Sequence, residues 1–135
     1  MARRRFRTRQ WPVNKPTLDA VHPVLPSQNV VMAIEFYKTL DFRLSFQDSM
    51  GDPRYAGVVR DRVEIHLQWH DAKEWAAVER PMLRFRVSDV DGLFQEFETK
   101  GVFHPDTAVR DTPWNTREFA FYDCDKNGLT FYQDT

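Results

Sequence analysis

The side chains best suited to chemistry stand at alternate positions of one predicted strand, over residues 63–69. Apolar residues occupy its odd positions, and Glu64, His66 and Gln68 occupy its even ones. Successive side chains of a strand point to opposite faces of a sheet, so this spacing places the three polar groups on one face. Histidine beside a carboxylate is able to transfer protons or bind a divalent ion. The pattern predicts a polar wall suited to a small molecule, although a face turned to plain solvent would show the same alternation.

A second set of polar side chains shares strand parity in the later half of the chain. Thr130 and Tyr132 alternate with apolar residues in one predicted strand, Glu118 does so in the strand before it, and Arg84 and Arg86 do so in an earlier one. The arginines are able to pair with glutamates or to receive a carboxylate or phosphate, whereas acidic groups favour a cationic guest. The charge of the ligand therefore stays open.

Nucleophilic catalysis has little support in the sequence. The one cysteine, Cys124, lies between Asp123 and Asp125, whose charges disfavour a thiolate. The chain shows no serine–histidine–acid order, glycine-rich phosphate loop or zinc-finger spacing. A single cysteine also excludes an internal disulfide framework, which favours a reducing, cytoplasmic location.

These candidate residues belong to a pattern of elements that occurs twice. The first unit has strands predicted at residues 20–26, 42–47, 55–59 and 63–69. The second has strands predicted at residues 82–87, 102–109, 117–122 and 129–133. In each unit one amphipathic helix follows the first strand. The expected fold is therefore of the α+β class, with two βαβββ modules, about 20–70 and 81–134, that form a cleft between mostly antiparallel sheets.

Helix ends and turns carry their own signals. Ser27 or Asn29 caps the first helix, which ends near Asp41. Ser88 resembles the start of a capping box for the second helix, and Gly101 is suited to close it. Asn127-Gly128 is a dipeptide typical of a two-residue hairpin turn and is predicted to join the last two strands.

Length and composition are typical of one folded domain. The chain has 135 residues, of which 41% are hydrophobic and 29% charged, and it has no apolar run long enough to span a bilayer.

We predict an arginine-rich arm over residues 1–18 and a single domain over residues 19–135. Five arginines fall in the first nine residues, and the remaining 14 basic residues face 20 acidic ones, so the body is acidic. No apolar segment follows the arginines, as a signal peptide requires. We expect the arm to be a tail or a subunit contact; nucleic-acid binding is disfavoured because no folded reading motif accompanies it.

Two segments resemble the glyoxalase, bleomycin-resistance and extradiol-dioxygenase (vicinal oxygen chelate) superfamily. Residues 23–27, Phe36-Tyr37 and residues 40–42 are similar to its opening strand, its helix end and its leucine-glycine-phenylalanine helix exit. Residues 111–119, with Asp123 and Asp125 soon after, are similar to the threonine-proline-tryptophan, arginine-glutamate-phenylalanine and aspartate-proline-aspartate-glycine-asparagine signatures of the bleomycin-resistance branch.

The resemblance covers about residues 20 to 134, and the chain departs from the pattern at several turn positions. Asp41 and Asn115 stand where the pattern has glycine, and Cys124 stands where it has proline. The turn glycine is interpreted as displaced to Gly128.

The resemblance implies four positions for metal ligands, which here carry His22, Glu64, Met82 and Thr130. The first two are credible ligands, but a thioether and a neutral hydroxyl are poor ones for a hard or borderline divalent ion. Because a catalytic ion normally keeps three protein ligands, we expect no metal cofactor. The alternative is a divalent metal with His66 as a further ligand, or a metal-free acid–base pair of His22 and Glu64.

The resemblance further implies a metal-free protein that binds and sequesters a bleomycin-like antibiotic, with possible drug resistance, as a homodimer whose clefts are completed by two chains. Trp114 would stack on a planar guest, unless it packs a loop against the other subunit. The expected ligand-binding residues are His22, Glu64, His66, Gln68, Arg84, Trp114, Glu118 and Tyr132. The alternative is a superfamily enzyme, a lyase, isomerase or dioxygenase, that uses His22 and Glu64 with or without a divalent metal.

Overall fold

The computed structural model describes residues 15–135, so most of the predicted arm lies outside the described residues. The first module forms one four-stranded sheet in the order β1-β4-β3-β2, covered on one face by helix α1 (Val30–Thr39). Its strands are β1 (Val24–Ser27), β2 (Arg43–Gln47), β3 (Tyr55–Arg60) and β4 (Val63–Trp69). Strands β1 and β4 are parallel, and the other pairs are antiparallel.

The second module repeats this arrangement in a sheet of order β5-β8-β7-β6, with helix α3 (Val90–Glu98) against β7 and β8. Its strands are β5 (Met82–Arg86), β6 (Arg110–Asp111), β7 (Thr116–Tyr122) and β8 (Gly128–Asp134). A short helix α2 (Ala72–Ala77), which the sequence did not predict, lies between the modules in the chain and begins with a capping box of Asp71 and Glu74. The α+β fold of two βαβββ modules is confirmed.

Helix α1 forms because its apolar residues recur at helical spacing and its first turn is capped. Val30, Ala33, Ile34 and Tyr37 are buried against the sheet. The side chain of Asn29, the second of the two predicted caps, accepts a hydrogen bond of 3.1 Å from a backbone N–H in the first turn.

Four of the described residues that are not glycine have a left-handed backbone. Asp41, Asp61, Asn115 and Lys126 have φ angles of 65°, 52°, 66° and 70°. Asp41 and Asn115 are the residues that replace glycine in the family pattern, so each keeps the glycine conformation without glycine. The interpretation that the turn glycine had moved to Gly128 is wrong: the left-handed turn residue is Lys126, and Gly128 begins β8.

The predicted two-residue turn at Asn127-Gly128 is also wrong. Strand β7 ends at Tyr122, and a loop of five residues, 123–127, precedes β8. The N–H of Asp123 donates to the carbonyl of Asn127 at 2.9 Å, and its carboxylate accepts backbone N–H groups from Asp125 and Asn127 at 2.8 and 2.9 Å. The carboxylate holds the loop in a shape that the dipeptide alone does not specify.

Two further predictions fail in the second module. Residues 102–109 form no strand, because Pro105 lacks an N–H and Thr107 closes a turn with its N–H on the His104 carbonyl at 3.0 Å. Only Arg110 and Asp111 pair with β7. The cap of α3 is Asp89, which accepts from the Gly92 N–H at 3.0 Å, and not Ser88.

The modules join through helices and turns. Tyr37 of α1 donates to Asp123 at 2.7 Å, and Asn127 donates to the Pro26 carbonyl at 3.2 Å. At the other end Arg60 forms two hydrogen bonds with Glu96 of α3, at 2.8 and 3.0 Å. Within residues 15–135 no hydrogen bond or ion pair connects the two sheet faces that the helices leave uncovered, which we call the open faces. No helix of this described part is long and apolar enough to cross a membrane.

Candidate functional site

The open face of the first sheet brings His22, Glu64 and His66 together, as the alternation of β4 predicted. The Nε2 of His66 lies 2.8 Å from a carboxylate oxygen of Glu64. His22 precedes β1, whose Val24 pairs with His66, and its ring stacks on that of His66 with centroids 4.7 Å apart. Its Nδ1 lies 3.4 Å from the Glu64 carbonyl. We call these three residues the first-sheet group.

Tyr55 is a member of this face that the sequence analysis missed. Its hydroxyl hydrogen-bonds the Nδ1 of His66 at 2.8 Å, so both ring nitrogens of His66 have partners. Tyr55 pairs with Gln68 across β3 and β4, and strand parity alone would have placed it on this face. Gln68 itself is exposed there and makes no side-chain contact with the first-sheet group among the described residues.

Phe46 reaches the same face through a β-bulge that sequence alternation concealed. The register between β2 and β3 shifts between Leu44 and Phe46, which turns Phe46 away from the buried face predicted for it. Its ring lies 5.1 Å from that of His66, edge to face. Gly57 allows this approach, because a Cβ there would lie 2.4 Å from the Phe46 ring.

The electrostatics of the first-sheet group favour an ionised carboxylate. The hydrogen bond from His66 holds the pKa of Glu64 below its ordinary value, and the neighbouring imidazoles add to the effect. The site therefore presents a charged oxygen beside two histidines.

The second sheet gathers Arg84, Glu118, Tyr132 and Trp114, which we call the second-sheet group. The guanidinium of Arg84 lies 4.4 Å above the Tyr132 ring and donates to Glu118 at 3.2 Å. Trp114 lies near Glu118 and helps to hold the pKa of that carboxyl down, and the residue is 59% exposed. The side chain predicted to stack on a guest is thus open to solvent beside Glu118.

Glu118 is nearly enclosed, so its carboxylate interacts with neighbouring side chains more than with solvent. It is 6% exposed, and the Thr116 hydroxyl donates to it at 2.8 Å. Burial alone would raise the pKa of Glu118, but hydrogen bonds from Thr116, Arg84 and Trp114 outweigh burial and hold that pKa below its ordinary value. An ionised, almost enclosed carboxylate of this kind fixes the direction of Arg84.

The remaining part of the second open face contains a cavity of about 270 Å³. Met82 and Thr130, the positions that the resemblance aligned with metal ligands, line it together with Tyr122 and Ala120. Neither side chain is a good ligand for a borderline divalent ion, whereas the apolar wall suits an organic group.

The donors able to hold a divalent ion thus lie on the first sheet. One ligand atom from each of His22, Glu64 and His66 lies within 4.8 Å of the others. Among residues 15–135, no hydrogen bond, ion pair or ring contact links this group to the second-sheet group.

Cys124 and two other tryptophans stand apart from both groups. Burial and the charges of Asp125 and Asp123 raise the pKa of the Cys124 thiol to about 12. Arg54 lies 4.4 Å over the Trp69 ring, and Arg80 lies 4.6 Å over the Trp75 ring.

Comparison with known proteins agrees with this architecture. A bleomycin resistance protein of Geobacillus stearothermophilus is 28% identical over 127 residues, covering 82% of this chain and 93% of that protein. A bleomycin resistance determinant encoded on the transposon Tn5 superposes with a TM-score of 0.73 at 20% identity, over 87% of this chain and 98% of the other. The bleomycin-binding protein of Streptomyces verticillus, solved with copper(II)-bleomycin, gives 0.64 at 25% identity, over 90% and 98%.

The family model described as Glyoxalase/Bleomycin resistance protein/Dioxygenase superfamily matches residues 20–131. This match spans both modules and includes the first-sheet and second-sheet groups. The chain belongs to this superfamily.

Proposed function

We propose that this protein binds and sequesters a planar antibiotic of the bleomycin class, without a metal cofactor in the binding step. The observation that carries the proposal is the second-sheet group, where an exposed Trp114 lies near Glu118 and an Arg84–Tyr132 stack. An exposed indole with fixed orientation stacks on flat heterocycles at small entropic cost. The similarity to bleomycin resistance and bleomycin-binding proteins supports the same ligand class.

The proposal includes a homodimer in which each cleft takes one open face from each chain. Phe46, Met82, Trp114 and Tyr122 are between 40% and 66% exposed on or beside these faces. Apolar side chains gathered on uncovered sheet faces favour burial against a partner or a guest. A second copy would bring a first-sheet group opposite a second-sheet group, so both would contact one guest.

Titration of tryptophan fluorescence with metal-free bleomycin tests the binding function. The wild type is expected to give a saturable signal, and Trp114→Phe to lose most of it. Trp114→Ala should weaken affinity about 2- to 10-fold, the value of one aromatic stack. Trp75→Phe is the matched control, because Arg80 already covers that ring, and it should bind as the wild type does. A wild-type signal that bleomycin leaves unchanged would refute the assignment.

The first-sheet group favours a second candidate, an enzyme of the superfamily that acts as a lyase, isomerase or dioxygenase. Glu64 and His66 share a 2.8 Å hydrogen bond, with His22 stacked beside them, which is an arrangement able to move protons. Turnover of representative substrates of those three reaction classes, abolished in Glu64→Gln, would establish it. Absence of turnover together with bleomycin binding would leave the first candidate.

A further inference from the structure

We infer that His22, Glu64 and His66 form a three-ligand divalent metal site confined to the first sheet. The resemblance aligns four positions, spread over both modules, with the superfamily's metal ligands. Two of these positions carry poor ligands here, Met82 and Thr130. His66 is outside that set and restores a third donor on the same face. The site does not rest on the proposed antibiotic binding, which needs no ion.

The three side chains lie close enough to hold one ion once the His22 ring turns. Zinc binds imidazole nitrogen and carboxylate oxygen at about 2.0–2.2 Å, which places neighbouring ligand atoms roughly 3–3.5 Å apart. The three candidate atoms already lie within 4.8 Å of one another. The rings of His22 and His66 are stacked, with centres 4.7 Å apart and planes 22° apart, so one ring must turn before a nitrogen of each points at the same ion. His22 precedes β1 and is exposed, so it can close the remaining gap.

Tyr55 supplies the support that a metal-bound histidine needs. Its hydroxyl is 2.8 Å from the Nδ1 of His66 and is able to accept an Nδ1–H, which leaves the Nε2 lone pair free to face Glu64 and the ion. Tyr55 is therefore a positioning residue.

The donor set selects the kind of ion. Two imidazoles and one carboxylate suit zinc, cobalt(II), nickel(II) or iron(II), whereas calcium and magnesium prefer oxygen ligands. Three protein ligands leave at least one coordination position open. Because this face is uncovered, water or a donor atom of a guest would fill that position.

Cobalt(II) added alone to untagged, chelator-stripped protein tests the inference through its visible d–d absorption. The wild type should bind one cobalt per chain, and His22→Gln and His66→Gln should abolish the absorption band. Tyr55→Phe should keep all three ligands and lose about 10- to 100-fold in affinity. His70→Gln is the matched control, since His70 lies 3.7 Å from Glu74 without a third donor, and it should behave as the wild type does. Circular dichroism of each variant would verify its fold.

Absence of a cobalt band in the wild type would overturn the site, as would uptake that persists in both histidine variants or that disappears in His70→Gln. These results are independent of bleomycin fluorescence. A failed metal site with intact guest binding, or the reverse, separates the two proposals.

Discussion

Tyr37 and Asp123 form a buried polar contact at the module junction. Tyr37 is completely buried, and its hydroxyl donates to Asp123 at 2.7 Å. Burial raises the pKa of Asp123, and the hydrogen bonds from Asn127 and Tyr37 oppose that rise. Since the pKa of Asp123 is raised in the folded protein, the free energy of unfolding falls as the pH rises from the ordinary pKa of aspartate through the folded-state pKa.

Tyr37→Phe is expected to lower the free energy of unfolding by about 1–3 kcal/mol at neutral pH, because a buried charged acceptor loses a donor. The substitution also raises the Asp123 pKa further. The deficit should therefore shrink as pH falls through that pKa and the carboxyl becomes neutral. Urea unfolding from neutral to acidic pH measures this, with Tyr122→Phe, at a half-exposed ring, as control. A deficit that is constant with pH would contradict the role given to Asp123.

Cys124 should alkylate slowly although it lies at the surface. A thiol pKa of about 12 gives roughly three orders of magnitude less thiolate at pH 8 than an ordinary cysteine has. Mass spectrometry of iodoacetamide-treated protein is expected to show little modification in the native state and rapid modification in urea. Native modification as fast as that of a free thiol would mean that Asp123, Asp125 and burial do not suppress the thiolate.

At the scale of elements, sequence periodicity located most strands and both long helices because burial on one face imposes a regular spacing. The alternation of β4 correctly grouped Glu64 and His66. It missed Phe46, because a bulge adds a residue and reverses parity after Leu44. It also misplaced the strand near Pro105 and the turn at Asn127, where side-chain hydrogen bonds and a missing N–H decide the path. His22 beside His66 depends on the parallel pairing of β1 and β4, which spacing along the chain does not reveal.

The turn between β7 and β8 offers a direct test of backbone strain. Lys126 has a φ angle of 70°, a conformation that costs most residues about 1–2 kcal/mol. Lys126→Gly should raise the free energy of unfolding by about 0.5–1 kcal/mol, after allowance for the flexibility of glycine in the unfolded chain. Lys38→Gly within helix α1 is the control and should lower it by about 1 kcal/mol. Thermal unfolding of both variants measures the contrast, and loss of stability in Lys126→Gly would refute the strain.

At the scale of the whole molecule, the two modules are joined by their helices and turns, and both open faces are left uncovered. Tyr37, Asp123 and Arg60 hold the modules together without occupying either face. This division lets one face collect His22, Glu64 and His66 while the other gathers aromatic and cationic groups. In the proposed dimer, each open face would supply half of a binding cleft.

Native mass spectrometry of the purified protein with metal-free bleomycin tests the proposed paired binding clefts most directly. It should record a complex of two chains that retains two guests, and Trp114→Ala should reduce guest retention while the chain count stays at two. A monomer that retains no guest, with bleomycin in large molar excess over the chain, would contradict a binding protein built from paired open faces.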